Sequence, residues 1–254
     1  MAILLVWWAC LLLESLVLLR AFMARMVGKY PFFYLYVASV FVTDIARYAV
    51  YYHVGPPSYI YWYWATEFIC LITGYGIILD ILERGFGPYE GAKKFGRTLG
   101  LVLFGLVLLF AVSHSFTGSF WPTIETAADL EKLLRMVQGL FLLGLLGVIF
   151  YYGIALGRNV KGMLLGYGLY IATVIMGLAI ALYFGPSAYD AFSLVQPFSY
   201  LTSLLIWTVA LWSYHPNPVP DRMIELESDY ETAVLKTRIA LGAMRSYLAR
   251  AARP

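Results

Sequence analysis

Charge is what this chain has least of. Asp, Glu, Lys and Arg together make 13% of its 254 residues, against about a quarter in an ordinary soluble domain. With 61% hydrophobic residues and a mean hydropathy of +0.75, that scarcity excludes a water-soluble globular domain and points to an integral membrane protein. Histidine is scarce as well. Three occur and none sits mid-way along an apolar run, so two axial ligands for an intramembrane haem have no place. His53 and His114 fall in or beside loops, where a solvated histidine is the ordinary occupant. Two cysteines, Cys10 and Cys70, lie in separate apolar runs and define neither a disulfide nor a metal site. Around Cys10 the stretch VWWAC places Trp7 and Trp8 where a lipidation signal favours small residues. HExxH, Walker A and GxSxG patterns are missing, as is any clustered Cys/His set. The chain therefore reads as non-enzymatic, without metal or cofactor, and its net charge of +3 gives no reason to expect nucleic acid as a partner.

What is present is a succession of apolar runs of about 20 residues, the length that crosses a hydrocarbon core of roughly 30 Å. The runs are continuous rather than alternating, which implies helices and not a barrel. Seven spans are expected: Ala2 to Leu19, Pro31 to Tyr51, Tyr59 to Ile81, Thr98 to Val112, Leu133 to Leu156, Met163 to Phe184 and Pro197 to Trp212. The expected fold is all-α: a seven-transmembrane-helix bundle over residues 1–214, then a cytoplasmic tail over 215–254. No basic stretch precedes the first apolar run, and Arg20, Arg25 and Lys29 follow it, so it reads as a retained helix and not a cleaved signal.

Basic residues mark the cytoplasmic side. Arg20, Arg25 and Lys29, then Arg84, Lys93, Lys94 and Arg97, then Arg158 and Lys161 occupy alternate loops, and six more lie in the tail. The opposite side keeps Arg47, Lys132 and Arg135. The expectation is a multi-pass protein of the cell inner membrane or plasma membrane, N-terminus outside and C-terminus in the cytoplasm, with the lipid bilayer as its first partner.

The few charges inside the spans carry the functional reading, because an ionisable group in lipid is costly and usually faces the bundle interior with a partner. At 1.5 Å per residue Asp44 lies about 10 Å, Arg47 about 6 Å and Glu67 about 12 Å below the outer surface. Asp44 and Arg47 share a helical face, and VGPPS makes spans two and three antiparallel neighbours. Arg135 enters span five at a similar level, with Gln138 three residues further on. These five residues form a candidate ligand-binding or ion-pair cluster, with Tyr48, His53, Tyr63 and Trp64 around its mouth. Two readings stay open: a pocket facing outward, or a brace that fixes how two helices register. Glu14 stands apart, explained by a local partner or a snorkelled position. Asp80, Glu83 and Arg84 read as boundary charges near water.

Small residues at helical spacing, Gly166, Gly177 and Ala181 with Tyr170 and Thr173, suit close helix contact, as do Gly139, Gly144 and Gly147, and Ser199, Thr202 and Ser203. TGYG at Thr73 to Gly76 has the letters of a potassium filter but lies inside a continuous span.

Seven helices in this length resemble the microbial rhodopsin architecture, and ARYA at Ala46 to Ala49 is similar to the arginine region of its third helix. That family holds retinal on a lysine of the last helix. PFSYLTSLLIWTVALW has no lysine, so retinal attachment is excluded. The chain also resembles a bacterial seven-transmembrane family without an assigned activity, through YPFF at Tyr30 to Phe33, the pattern Tyr61, Tyr63, Trp64 and Glu67, and GPYEG at Gly87 to Gly91. That resemblance implies the topology and an interest in Glu67.

After HPNPVP the tail reads as an amphipathic helix over about 221–250, capped by Asp221, with acids in its first turns and bases in its last. Leu226, Tyr230, Ala233, Thr237, Leu241, Met244 and Leu248 form a stripe that wants a partner: membrane surface, the bundle's own loops, or a membrane or cytoplasmic protein. The leading expectation is a sensor or interaction subunit with an outward polar pocket for a small-molecule ligand. Its rivals are a transporter or proton-translocating protein using Glu67 or Asp44, and a structural accessory subunit of a larger complex.

Overall fold

The computed structural model describes residues 2–53, 56–117, 124–185, 192, 194–218 and 228–240. Its principal helices are α1 (Ala2–Met23), α2 (Pro31–His53), α3 (Pro56–Gly85), α4 (Glu90–Thr117), α5 (Ile124–Tyr152), α6 (Arg158–Phe184) and α7 (Val195–Ala210). Residues 228–240 are helical too, and no strand occurs among the described residues. Among the described residues five stretches are long and apolar enough to cross a membrane: Leu4–Met23, Pro31–His53, Tyr59–Gly85, Leu130–Tyr152 and Arg158–Ile180. The polarity of the fold is inverted to match. Leu5, Leu12, Leu19, Leu140, Phe150 and Tyr183 project outward while Glu14, Glu67, Arg135, Gln138 and Asn159 are buried. In water such a surface would drive association, whereas in lipid it is the solvated face.

The helices form a ring in chain order. α1 packs on α2 and α7, α2 on α3, α5 on α4 and α6, and α6 on α7, while α3 leans across to α4, α5 and α6. Close approach is bought locally by small residues: a Cβ on Gly166 would strike the Trp207 indole, and one on Gly162 would strike Ala210. Beside them Ser203 Oγ donates to the Gly166 carbonyl at 2.7 Å, a polar contact between α7 and α6 of the kind that holds helices together in lipid. TGYG is a packing seam. Tyr75 donates to the Leu134 carbonyl at 3.0 Å, Gly74 lies under the Tyr167 hydroxyl and Gly76 under the Phe32 ring.

Helix ends differ from the hydropathy boundaries for identifiable reasons. The fifth span was expected to run to Leu156, but α5 stops at Tyr152 because Gly153 takes the left-handed conformation (φ 61°) and Ile154 N–H reaches back to the Ile149 carbonyl at 3.0 Å. Asp80, expected near water, is buried, and its Oδ2 accepts the Phe33 N–H at 2.7 Å. A carboxylate on α3 thereby caps the first turn of α2, whose own flank supplies no capping side chain. Asn159 does the reverse for α7, donating to the Ala210 and Ser213 carbonyls at 2.9 and 2.8 Å while accepting the His215 N–H at 2.6 Å.

Arg20 donates to the Trp212 carbonyl and Arg158 to that of Val209, so the basic loops gather at one end of the bundle. The tail meets the bundle there. Tyr152 Oη donates to Asp229 Oδ2 at 3.1 Å, and Tyr230 and Ala233 border an apolar groove shared with α4 and α5. Within 228–240 only part of the expected stripe is covered: Tyr230 is half-buried, Ala233 and Thr237 are exposed. Asp221, Leu226, Leu241, Met244 and Leu248 lie outside the described residues, as does the His114 side chain.

Candidate functional site

Site geometry begins with the α2–α3 pair, whose helices lie side by side because Pro56 starts α3 three residues after α2 ends at His53. Arg47, on the last turns of α2, therefore faces the first half of α3. Its Nη2 pairs with Glu67 Oε2 at 3.0 Å, its Nε donates to Thr66 Oγ1 at 2.7 Å, and its guanidinium lies over the Tyr63 ring, 4.7 Å from the centroid. The second Glu67 oxygen, Oε1, accepts a hydrogen bond from Arg135 Nη2. One carboxylate thus ties α2, α3 and α5 together. Arg135 is itself held by Glu131 Oε1, 2.8 Å from its Nε, and by the Tyr170 ring of α6 at 5.5 Å.

The result is an alternating line of charge, Glu131–Arg135–Glu67–Arg47, with Arg135 4% and Glu67 7% exposed. Balanced alternation is what permits four ionisable groups in so dry a place, since a lone ion there would face an uncompensated desolvation cost of several kcal/mol. The expected balance used Asp44 as the second acid. The structure uses Glu131 instead, while Asp44 makes no direct hydrogen bond or ion pair among the described residues. Gln138 is buried in the same region but serves the backbone: its Nε2 donates to the Leu71 carbonyl at 3.0 Å and its Oε1 has no protein partner.

Beside the charge line lies a cavity of about 310 Å³. Six helices contribute to it. Val6, Trp7 and Cys10 come from α1, Tyr36, Val40, Asp44 and Arg47 from α2, and Glu67 and Cys70 from α3. Arg135 of α5, Tyr167 and Tyr170 of α6, and Gln196, Pro197 and Tyr200 of α7 complete the wall. Most of these positions lie in the half of the bundle away from the basic loops, while Tyr36 and Val40 of α2 and Tyr167 and Tyr170 of α6 carry the cavity past the middle of those helices. The volume is at the small end of the range typical of small-molecule sites, about 300–1,000 Å³, and the mix of apolar wall with a few convergent polar groups is theirs also.

Of the residues expected at the mouth, Tyr63 carries the Arg47 guanidinium, and Tyr48 stacks on Trp7 with ring centroids 5.0 Å apart at 16°. Trp64 turns to the Tyr63 and Phe68 rings and does not line the cavity. His53 ends α2 exposed and takes no part.

Two residues of this region were not anticipated. Glu131 precedes the apolar run, so a hydropathy window assigns it to a loop; its i, i+4 relation to Arg135 was the available signal. Glu14 was read as snorkelled or locally paired, but it is fully buried, and its partner is Tyr200 on α7, whose hydroxyl donates to Oε1 at 2.8 Å. Its Oε2 has no protein partner. Among the described residues no group of three or more His, Cys, Asp or Glu side chains is placed to hold a metal. No family model matches the chain, and no curated protein or solved structure matches it either.

Proposed function

We propose that this protein is a seven-span membrane receptor whose cavity binds a small molecule from the outside and whose tail reports occupancy in the cytoplasm. The observation that carries the reading is the cavity itself. Six helices line it, and Asp44 enters it without a direct hydrogen bond or ion pair among the described residues. A brace alone would account for the paired Glu67, Arg47 and Arg135 but leaves an unpaired carboxylate in a cavity without a purpose. The gathering of basic residues at the far end of the bundle supports an outward-facing cavity with the tail and the C-terminus in the cytoplasm.

α5 joins the two ends. It carries Arg135 in the charge line and Tyr152 against Asp229 of the tail, 17 residues or about 26 Å further along. A rigid helix touching both is the means by which a change at the site reaches the tail. Transport ranks second, because Phe33, Ile77, Ile81, Met163 and Trp207 are buried toward the basic end of the bundle, and the buried Asp80, Asn159 and Ser203 there are bonded to backbone groups.

The two cysteines of the chain both line the cavity, which provides the experiment. In intact cells, a membrane-impermeant thiol reagent applied from outside is expected to modify Cys70, the more exposed of the two. If it modifies neither cysteine while the denatured protein reacts at both, the cavity is closed to the exterior and the receptor reading fails.

A further inference from the structure

We infer that the ligand of this cavity is a small organic monocation, an amine or quaternary ammonium, held by the Asp44 carboxylate between aromatic faces. The inference rests on the receptor reading above and deepens it.

The charges decide the sign. Within the line Glu131–Arg135–Glu67–Arg47 each acid faces a guanidinium, and both guanidinium groups have further partners in Thr66 and the Tyr63 and Tyr170 rings. An anionic ligand would have to displace a carboxylate already seated there. Asp44 and Glu14 are the acids left over. Asp44 lines the cavity with no ion pair among the described residues, and Glu14, one turn beyond the cavity-lining Cys10 on α1, spends one oxygen on Tyr200 and keeps the other free. The paired groups cancel and Glu14 is buried without a counter-charge, so the surplus negative charge on the cavity wall is that of Asp44.

The walls decide the class. A hydrated metal ion would call for several oxygen ligands converging within about 2.0–2.6 Å, whereas this cavity offers one free carboxylate and broad π surfaces. Trp7, Tyr36, Tyr167 and Tyr200 line it beside Tyr170, whose ring already carries Arg135, and Trp7 is steadied by its stack on Tyr48. An alkylated ammonium placed between a carboxylate and aromatic faces gains ion pairing, cation–π attraction and apolar burial together. About 310 Å³ admits such a molecule with a short chain and little more.

The test uses the full chain in lipid nanodiscs, with uncharged N-ethylmaleimide as the probe of the cavity and mass spectrometry to separate Cys10 from Cys70. Choline is expected to slow Cys70 modification at least tenfold at saturation. Its uncharged isostere 3,3-dimethylbutan-1-ol is expected to have no comparable effect, and Asp44→Asn to raise the half-protective choline concentration about tenfold or more. Should Asp44→Asn not fold, the contrast between choline and its isostere in the native chain carries the result. Equal protection by the isostere, protection by acetate instead of choline, or rapid labelling that neither choline, tetramethylammonium nor ethylamine slows would each overturn the cation assignment while leaving an accessible cavity. Labelling that never occurs in the folded protein would overturn the receptor reading itself, and this inference with it.

Discussion

Glu67 and Asp44 sit one helix apart beside the same cavity and have opposite structural duties. Glu67 answers two guanidinium groups, so Glu67→Gln leaves Arg47 and Arg135 facing an amide that cannot compensate either charge. Removing one partner from a buried pair costs about 3–5 kcal/mol, so this variant is expected to unfold well before the native protein in a denaturant titration in detergent. Asp44→Asn removes a charge that Arg47 answers only through space, without a direct ion pair, and its stability is expected to stay within about 1 kcal/mol of native in the same titration. Equal losses from both substitutions would mean that Asp44 belongs to the brace. The sequence made the shared depth of Asp44, Arg47, Glu67 and Arg135 legible, because depth follows from residue counting along a helix of known rise. It could not separate the paired acid from the free one. That distinction depends on which way each helix is turned about its axis, and the mean polarity of a span does not record rotation. Glu14 was illegible for another reason: its partner Tyr200 is 186 residues away, and only closure of the ring brings α1 and α7 together.

Among the elements, the ends are where side chains from one helix complete another. Asp80 shares a short stretch with Glu83 and Arg84, which made it look like a boundary charge, yet it is buried against the start of α2. Asp80→Ala removes a charge-assisted bond to a helix N-terminus and is expected to destabilise the protein by about 1–2 kcal/mol. Amide hydrogen exchange would locate the effect: Phe33 should lose protection first, and equal protection in the variant would show that the cap carries no weight. Between α6 and α7 the fit is steric. A methyl group at Gly166 has the Trp207 indole in its way, and Trp207 is fully buried among Phe33, Tyr36 and Tyr200. Gly166→Ala is expected to cost about 1–3 kcal/mol through a forced shift of that ring, visible as a change in tryptophan emission as well as a lower melting temperature.

For the whole molecule the open question is whether the two ends are coupled, and one contact allows the question to be asked. Tyr152 Oη and Asp229 Oδ2 form the hydrogen bond that ties residues 228–240 to α5, and both groups are exposed enough that its loss should cost well under about 1 kcal/mol of overall stability. Tyr152→Phe keeps the ring and removes only the donor. In nanodiscs the variant is expected to bind choline as the native chain does, because the cavity lies some 26 Å away along α5. Deuterium uptake over residues 228–240 should differ, however: in the native protein it should change when the cavity fills, and in Tyr152→Phe it should be faster and indifferent to choline. A coupling that survives the substitution would have to travel through the apolar contacts of Tyr230 and Ala233 with the groove beside α4. Tyr230→Ala in the Tyr152→Phe background would then be the change that silences it. If choline binds and the tail never responds in the native chain, occupancy stays within the bundle and the signalling half of the receptor proposal is wrong.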